Sequence, residues 1–261
     1  MTTNTHHYFL LNQSPWPFVI SLNSFNLIIT LFFFFKYGDS FSFIFSLFLI
    51  LIFSFIWWIG FRAEFNLEGK NTNVLENGVK IRIILFISSE IFFFFSFFWS
   101  YFHFLLSPSI ELGLNWPPVL VESFDFMGVP LINTLILMRS GLTVTLRHYY
   151  LIEGKKNFVN IWLFTTVRLG FLFSYFQLME YKRSFFSIRD GSFGCSFFIL
   201  TGFHGIHVII GSIYLLTVLI RSLFLNRSLR NSLSFEISSW YWHFVDVIWI
   251  FLYCFLYYII D

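Results

Sequence analysis

The sequence predicts an all-α polytopic membrane protein with seven transmembrane helices. Its 261 residues are 57% hydrophobic and 24% aromatic. Only 11% of them are charged, whereas a soluble domain carries roughly 25% charged residues. So few polar side chains could not cover a soluble globule of this size. The apolar residues also gather in long, separate stretches, and these features together exclude a soluble domain.

The helices follow from the lengths of these stretches, because ~20 apolar residues are needed to cross a hydrocarbon core of ~30 Å. Short turns rich in Gly, Asp, Asn and Pro separate the stretches, so we expect residues 1–261 to form a single membrane domain. The third and sixth stretches are long enough to predict tilt or extension beyond the bilayer. In chain order the predicted spans are 16–35, 41–61, 80–106, 128–149, 157–180, 192–220 and 234–259.

The orientation follows from the basic residues, which are enriched on the negative side of a membrane. The amino terminus shows no basic region or cleavage site of a signal peptide, so we expect the first span to be retained. Odd-numbered connections hold Lys36, Lys182, Arg183 and Arg189, and even-numbered connections hold the larger set. This predicts that the N-terminus faces the cytoplasm or matrix and that Asp261 lies on the opposite side. The larger set is Arg62, Lys70, Lys80, Arg82, Arg147, Lys155, Lys156, Arg221, Arg227 and Arg230.

Four charged residues are predicted to lie near the middle of the bilayer. Glu90 and Asp246 fall deep in the third and seventh spans, and Arg139 and Arg168 fall deep in the fourth and fifth. A charge exposed to lipid at this depth costs ~2.5–3.5 kcal/mol or more. We therefore expect at least one acid to pair with an arginine inside the bundle. Two alternatives remain open: a lone carboxyl can keep its proton, and acids of a neighbouring subunit can pair with the arginines.

Histidines form a second group of candidate residues. His204 and His207 are three residues apart and share a helix face with Gly211, and His243 precedes Asp246 by the same spacing. The spacing is compatible with metal or haem ligation. Glycine-rich helices more often pack closely, and their histidines are then satisfied by hydrogen bonds. The residues alone leave both interpretations open.

A tryptophan pair marks the end of the second span. Trp57 and Trp58 precede Arg62 and Glu64, a composition typical of an interfacial anchor or of a site for a lipid head group. The sequence contains no phosphate-binding, dinucleotide-binding, HExxH or GxSxG motif. Nothing in it indicates nucleotide binding, proteolysis or acyl transfer.

Several blocks resemble subunit III of cytochrome c oxidase, in the order found in that family and over essentially the whole chain. The two longest are "FSIRDGSFGCSFFILTGFHGIHVIIGS" at 186–212 and "FEISSWYWHFVDVIWIFLY" at 235–253. The shorter ones are "SPWPF" at 14–18, "LFISSEIFFFFSFFWSYFH" at 85–103, "ELGLNWPP" at 111–118, "VPLINT" at 129–134 and "EG" at 153–154.

The resemblance implies a fold in which helices 1–2 are separated from helices 3–7 by a V-shaped cleft that holds structural phospholipids. It implies a mitochondrial inner-membrane protein with its N-terminus in the matrix and its C-terminus toward the intermembrane space. Haem and copper are then expected on subunits I and II and none on this chain, which packs mainly on subunit I beside other complex IV subunits. The complex passes electrons from cytochrome c to oxygen and pumps protons, and this subunit supports proton uptake and endurance during turnover.

The resemblance also implies roles for single residues. Glu90 matches the intramembrane glutamate that is known for carbodiimide reactivity, and no residue is expected to be catalytic or to bind metal. Arg139 and Arg168 stand where the family is normally apolar or neutral, which indicates lineage-specific subunits or lipids around them. The residues matching lipid-cleft positions are Trp58, Glu64, His207 and Arg221. The expected structural network of polar and charged side chains consists of His204, His243, Asp246, Arg139 and Arg168.

Two other functions are compatible with the residues before the resemblance is considered. Mid-membrane charges also occur in transporters and channels, although we find no internal repeat of the transporter type. A haem protein with two histidine ligands could use two of His204, His207 and His243. The resemblance favours the oxidase subunit over both.

Overall fold

The structure is a computed structural model of the whole chain. It describes residues 14–67, 73–108, 110, 113–118, 121, 123–224 and 233–259, and the side chains of 61–67, 73, 75, 156 and 224 are outside this description. The residues fall into two compact units, 1–81 and 82–261, by their internal contacts.

Within the described residues, all regular structure is helical and seven helices are long and apolar enough to cross a membrane. This confirms the predicted fold class. The last helix continues as a π-helix over Tyr253–Tyr258. The helices are α1 Trp16–Tyr37, α2 Ser40–Leu67, α3 Asn73–Leu106, α4 Val129–Ile152, α5 Lys156–Arg183, α6 Gly191–Phe224 and α7 Leu233–Leu252.

The first unit contains a hairpin of α1 and α2. The turn between them needs Gly38, whose φ of 74° is strained for residues with a side chain. Asp39 then caps α2 by accepting hydrogen bonds from the backbone N–H and the hydroxyl of Ser42. The hydroxyl bond lowers the pKa of the Asp39 carboxyl below its usual range. Inside the hairpin, the hydroxyls of Thr30 and Ser46 are 2.8 Å apart and hydrogen-bonded.

The second unit is built from α4 to α7, with most of α3. Neighbouring helices pack in the order α4, α5, α6 and α7, and α7 also contacts α4. The indole rings of Trp242 and Trp249 are fully buried at the centre. Their N–H groups donate to the hydroxyls of Ser140 and Thr134 on α4. Such bonds satisfy polar groups that lipid cannot, so α7 is the central element of this unit.

Aromatic rings join α3 to this unit. The ring of Phe93 meets that of Phe203 on α6 edge-on at 5.0 Å between centroids. The ring of Phe94 meets that of Phe244 on α7 at 6.2 Å. Near the other end of α3, the hydroxyl of Tyr101 donates to the carbonyl of Phe255. These contacts place Glu90, one turn before Phe94, beside α6.

A short charged turn connects α4 and α5. Gly154 has a φ of 75°, and the ammonium of Lys155 lies 2.7 Å from the carboxylate of Glu153. Their hydrogen bond lowers the pKa of the Glu153 carboxyl and raises the pKa of the Lys155 ammonium. Both groups are therefore charged at neutral pH, which fixes this turn outside the hydrocarbon.

Candidate functional site

Glu90 on α3 lies beside His207 on α6. The carboxylate oxygen Oε2 of Glu90 is 2.9 Å from Nε2 of His207. The other ring nitrogen, Nδ1, is 2.7 Å from the backbone carbonyl of Phe203. The side chains are mostly shielded, with exposures of 22% for Glu90 and 12% for His207. The two helices thus bring together two candidate residues that are 117 positions apart in the sequence.

This geometry fixes the charge balance of the pair. Because a carbonyl can only accept, Nδ1 of His207 must carry a proton and donate it to Phe203. One further proton then lies between Nε2 of His207 and Oε2 of Glu90. The pair is either a neutral acid donating to a neutral imidazole, or a carboxylate accepting from an imidazolium. Both forms have no net charge, which removes most of the cost of a carboxyl at this depth.

Aromatic rings enclose the imidazole of His207. Phe94 lies edge-on to it at 5.2 Å between ring centroids, and Tyr241 stacks on it at 6.3 Å. Phe244 meets it edge-on at 6.4 Å. This apolar surround strengthens the hydrogen bond because the local dielectric constant is low. The site can therefore hold one proton between two groups, and its surround comes from α3 and α7.

Asp246 pairs with His243 on the same helix and packs against α4. Its Oδ2 is 3.6 Å from Nδ1 of His243, whose side chain is 41% exposed, whereas that of Asp246 is 10% exposed. A β-carbon added to Gly141 would lie 2.6 Å from Oδ2 of Asp246. A side chain at position 141 would therefore require this carboxylate or its helix to shift. Oδ1 of Asp246 is buried and has no hydrogen-bond partner among the described residues.

His204 is a fully enclosed packing residue. Its Nε2 donates to the carbonyl of Val245 on α7 at 3.2 Å. Phe173 lies edge-on to the ring at 5.5 Å, and Trp249 lies against it at 5.1 Å. Nδ1 is buried without a hydrogen-bond partner among the described residues. His204 therefore links α5, α6 and α7.

The predicted pairing of acids with arginines inside the bundle is not found among the described residues. Both acids lie beside histidines, Glu90 with His207 and Asp246 with His243. Arg139 and Arg168 are exposed on the outside of α4 and α5. The guanidinium of Arg168 lies 5.8 Å from the ring centroid of Phe164, one turn away on α5. The hypothesis was wrong because equal depth does not place two residues on facing sides of their helices.

The candidate lipid residues are distributed over both units. Trp58 is exposed near the end of α2, and its ring centroid is 6.1 Å from that of Trp57. The side chain of Glu64 lies outside the described residues. Arg221 is half-buried near the end of α6 and donates to the hydroxyl of Ser234 on α7 at 3.2 Å. Their joint use in a lipid cleft stays a prediction.

A buried polar cluster was missed from the sequence. The hydroxyl of Tyr257 donates to Oε1 of Glu180 at 2.7 Å. The amide of Asn133 on α4 lies 3.5 Å from that of Gln177 on α5. Each of Asn133, Gln177 and Glu180 also has a buried atom without a partner among the described residues. The sequence did not predict a buried role for Glu180, because this residue lies at the end of a predicted span, where an acid usually faces water.

The structure also places Arg147 in a different environment from the one that the sequence predicts. The sequence places it among the charges that flank the fourth span, whereas the structure buries it to 3% exposure. Its guanidinium lies 3.6 Å from the ring centroid of Phe235 on α7, a close cation–π contact. Only the neighbouring helix supplies this aromatic face, so spacing along the sequence could not reveal it.

The described residues contain no group of three or more His, Cys, Asp or Glu side chains that could hold a metal ion. The histidines instead serve separate contacts: His204 with Val245, His207 with Glu90 and His243 with Asp246. His204 thus bonds to another helix, His207 faces Glu90 across two helices, and His243 lies beside Asp246 on its own helix.

Comparison with known proteins agrees with this architecture. The family model for cytochrome c oxidase subunit III matches residues 6–260. Cytochrome c oxidase subunit 3 of Tachyglossus aculeatus aculeatus is 41% identical over 257 residues, which cover 98% of each chain. The proteins of the same name from Rattus norvegicus and Paracentrotus lividus are each 40% identical over 98% of both chains. The chain therefore belongs to the cytochrome c oxidase subunit III family.

Proposed function

We propose that this chain is a membrane subunit of cytochrome c oxidase, respiratory complex IV, that carries no redox centre itself. The observation that carries the proposal is the match to the subunit III family over residues 6–260. In this role the chain packs mainly on subunit I, and haem and copper are bound by subunits I and II. Electrons pass from cytochrome c to oxygen outside this chain.

The Glu90–His207 pair supports a role in the proton chemistry of the complex. The two atoms are 2.9 Å apart, a distance at which they can share one proton, and the pair has no net charge with that proton on either atom. Such a site keeps a proton at mid-membrane depth without a net charge. In the proposed function it assists proton uptake by the neighbouring subunit, and it is not a catalytic group.

Structural phospholipids are the second part of the proposal. Trp58 presents an exposed indole, which suits the interface between hydrocarbon and head groups. Arg221 lies near the end of α6 and can contact a phosphate at that depth. Together with Glu64 and His207 they match cleft positions in the family. These lipids would sustain the enzyme during turnover.

The location follows from the same proposal. The chain spans the mitochondrial inner membrane, with its N-terminus in the matrix and its C-terminus toward the intermembrane space. The positive charges of the even-numbered connections support this direction.

No observation favours the two other functions. For a bis-histidine haem protein, His204 would have to leave a site enclosed by Phe173 and Trp249, and His207 would have to release Glu90. For a transporter, the two mid-membrane arginines would need to line a pathway, but they lie on the outside of α4 and α5.

Capture of the tagged chain from solubilised mitochondria tests the proposal. We expect the captured complex to contain subunits I and II, to show the absorption of haem and to oxidise cytochrome c. Removal of this chain from the purified complex should leave the initial oxygen consumption largely intact but shorten the lifetime of the working enzyme. Capture of the chain without a haem-bearing core would contradict the proposal, as would haem bound to the isolated chain.

A further inference from the structure

We propose that the outer surface of the α4–α5 pair marked by Arg139 and Arg168 is a docking surface inside the membrane. Its partner is a transmembrane helix of another chain that carries an aspartate or glutamate at mid-membrane depth. We call this the arginine surface. The inference rests on the proposed function only in that the partner is sought within the intact oxidase complex.

Residue counts along the candidate spans place both arginines near the centre of the bilayer. Arg139 comes ten residues after the start of α4 at Val129, or ~15 Å along the axis. Arg168 comes eleven residues after Asn157, where the fifth candidate span begins, or ~16 Å along the axis. The hydrocarbon core is ~30 Å thick. Each residue is therefore about as far as possible from either layer of head groups.

The two arginines also lie at nearly the same level. The antiparallel helices are aligned by a hydrogen bond of 2.7 Å between Thr143 and Thr166 and by the amides of Asn133 and Gln177. On this alignment, Arg139 is level with about residue 170 of α5, ~3 Å from the level of Arg168. One approaching helix can therefore meet both guanidinium groups over a single turn.

The surface around the arginines is open and otherwise apolar. Both arginine side chains are exposed, as are Leu135, Phe164 and Leu172. Arg168 has a weak contact with the ring of Phe164 at 5.8 Å, and no ion pair involves either arginine among the described residues. A guanidinium cannot lose its proton to become neutral in a protein. No acid among the described residues balances its charge, so a partner must supply the counter-charge.

Charge complementarity selects the partner. Lipid phosphates lie ~15 Å away at the edge of the hydrocarbon, so snorkelling from this depth would need a locally thinned bilayer. A second copy of the chain is a poor match because its mid-membrane acids are engaged, Glu90 with His207 and Asp246 with His243. An acid on another transmembrane helix meets the arginines at their own depth. It also explains why charge is tolerated on an outer surface.

The test uses the intact complex and a hydrophobic carbodiimide, which couples a carboxyl to an amine at contact distance. Arg139→Lys and Arg168→Lys keep the charge and add a reactive amine, whereas arginine does not couple. We expect each Lys variant to form a covalent link to another chain, mapped by mass spectrometry to an acid inside an apolar segment. Wild type and the matched variants Arg139→Gln and Arg168→Gln should form no link at these positions.

A second measurement follows retention of the partner. In the double Gln variant we expect the ratio of that partner to haem to fall by at least about tenfold after detergent washing, because the partner acid is left unpaired. Haem should still co-purify with this chain. Loss of haem from the captured wild-type chain would instead contradict the proposed function.

Three results would overturn the arginine surface. The first is the absence of any link between chains in both Lys variants. The second is a link only to acids of this chain, in the same or a second copy. The third is an unchanged partner ratio in the double Gln variant together with loss of bound phospholipid, which would make lipid the occupant.

Discussion

At the scale of residues, the Glu90–His207 pair explains how a carboxyl is tolerated among phenylalanines. Nδ1 of His207 is fixed as a donor by the carbonyl of Phe203, so the remaining proton belongs to the pair. His207 therefore compensates the charge of Glu90, and no arginine is needed for this. The same logic predicts that a polar but uncharged side chain can replace Glu90.

We predict that Glu90→Gln preserves assembly and most oxygen consumption. The glutamine amide can donate to Nε2 of His207 and keep the bond between α3 and α6. Glu90→Leu leaves Nε2 without a partner and should destabilise the subunit by about 1–3 kcal/mol. Thermal release of the subunit from the purified complex measures the difference. Equal release temperatures for the two variants would show that the bond contributes nothing, and loss of oxygen consumption in Glu90→Gln would make the carboxyl essential.

At the scale of elements, close packing of α4 on α7 depends on a missing side chain. Gly141 leaves the space that the carboxylate of Asp246 occupies, since an added β-carbon would lie 2.6 Å from Oδ2. Gly205 on α6 lies in open space by contrast, because no atom lies within 4 Å of the position that a β-carbon would take there. The pair offers a matched test of the interface.

We predict that Gly141→Ala destabilises the subunit by about 1–3 kcal/mol, the usual cost of overpacking. Gly205→Ala should be neutral, or stabilising by up to about 1 kcal/mol, because alanine is the better helix former. The midpoint of unfolding of the purified complex, followed by circular dichroism, reports both changes. A Gly141→Ala variant as stable as Gly205→Ala would mean that α4 and α7 separate more easily than the contact implies.

A second contact between elements joins α5 to the π-helix through Glu180. Tyr257→Phe removes the donor to the buried Oε1 and should cost about 1–3 kcal/mol, since the acceptor is left unpaired. Tyr258→Phe is the matched control, because that side chain is 61% exposed and should change stability by less than about 0.5 kcal/mol. Subunit retention during heating measures both. Similar values for the two neighbours would rule out a structural role for the Tyr257–Glu180 bond.

At the scale of the whole molecule, the direction of insertion is set by charges on the connections. Lys155 lies in the exposed turn between α4 and α5, and Lys182 lies at the exposed end of α5. The fifth helix separates them, so they reach opposite sides of the membrane. In the proposed orientation, which follows the count of basic residues, Lys155 lies on the matrix side.

We predict that an impermeant amine reagent labels Lys182 in mitochondria stripped of the outer membrane and labels Lys155 in inverted inner-membrane vesicles. The two lysines serve as controls for each other, because both are exposed in the chain. Peptide mass spectrometry identifies the labelled site. The reverse pattern would overturn the proposed orientation without affecting family membership.

The sequence by itself determined the number and approximate positions of the helices, because crossing ~30 Å of hydrocarbon requires long apolar stretches. It also indicated which side chains are energetically costly to place in the hydrocarbon core, among them those of Glu90 and Asp246. Only the tertiary structure decided their partners. In a membrane protein both the buried and the lipid-facing sides of a helix are apolar, so periodicity does not show which side faces inward. That is why Arg139 and Arg168 proved to lie outside, while His207 and the buried Glu180 found partners that only helix packing could supply.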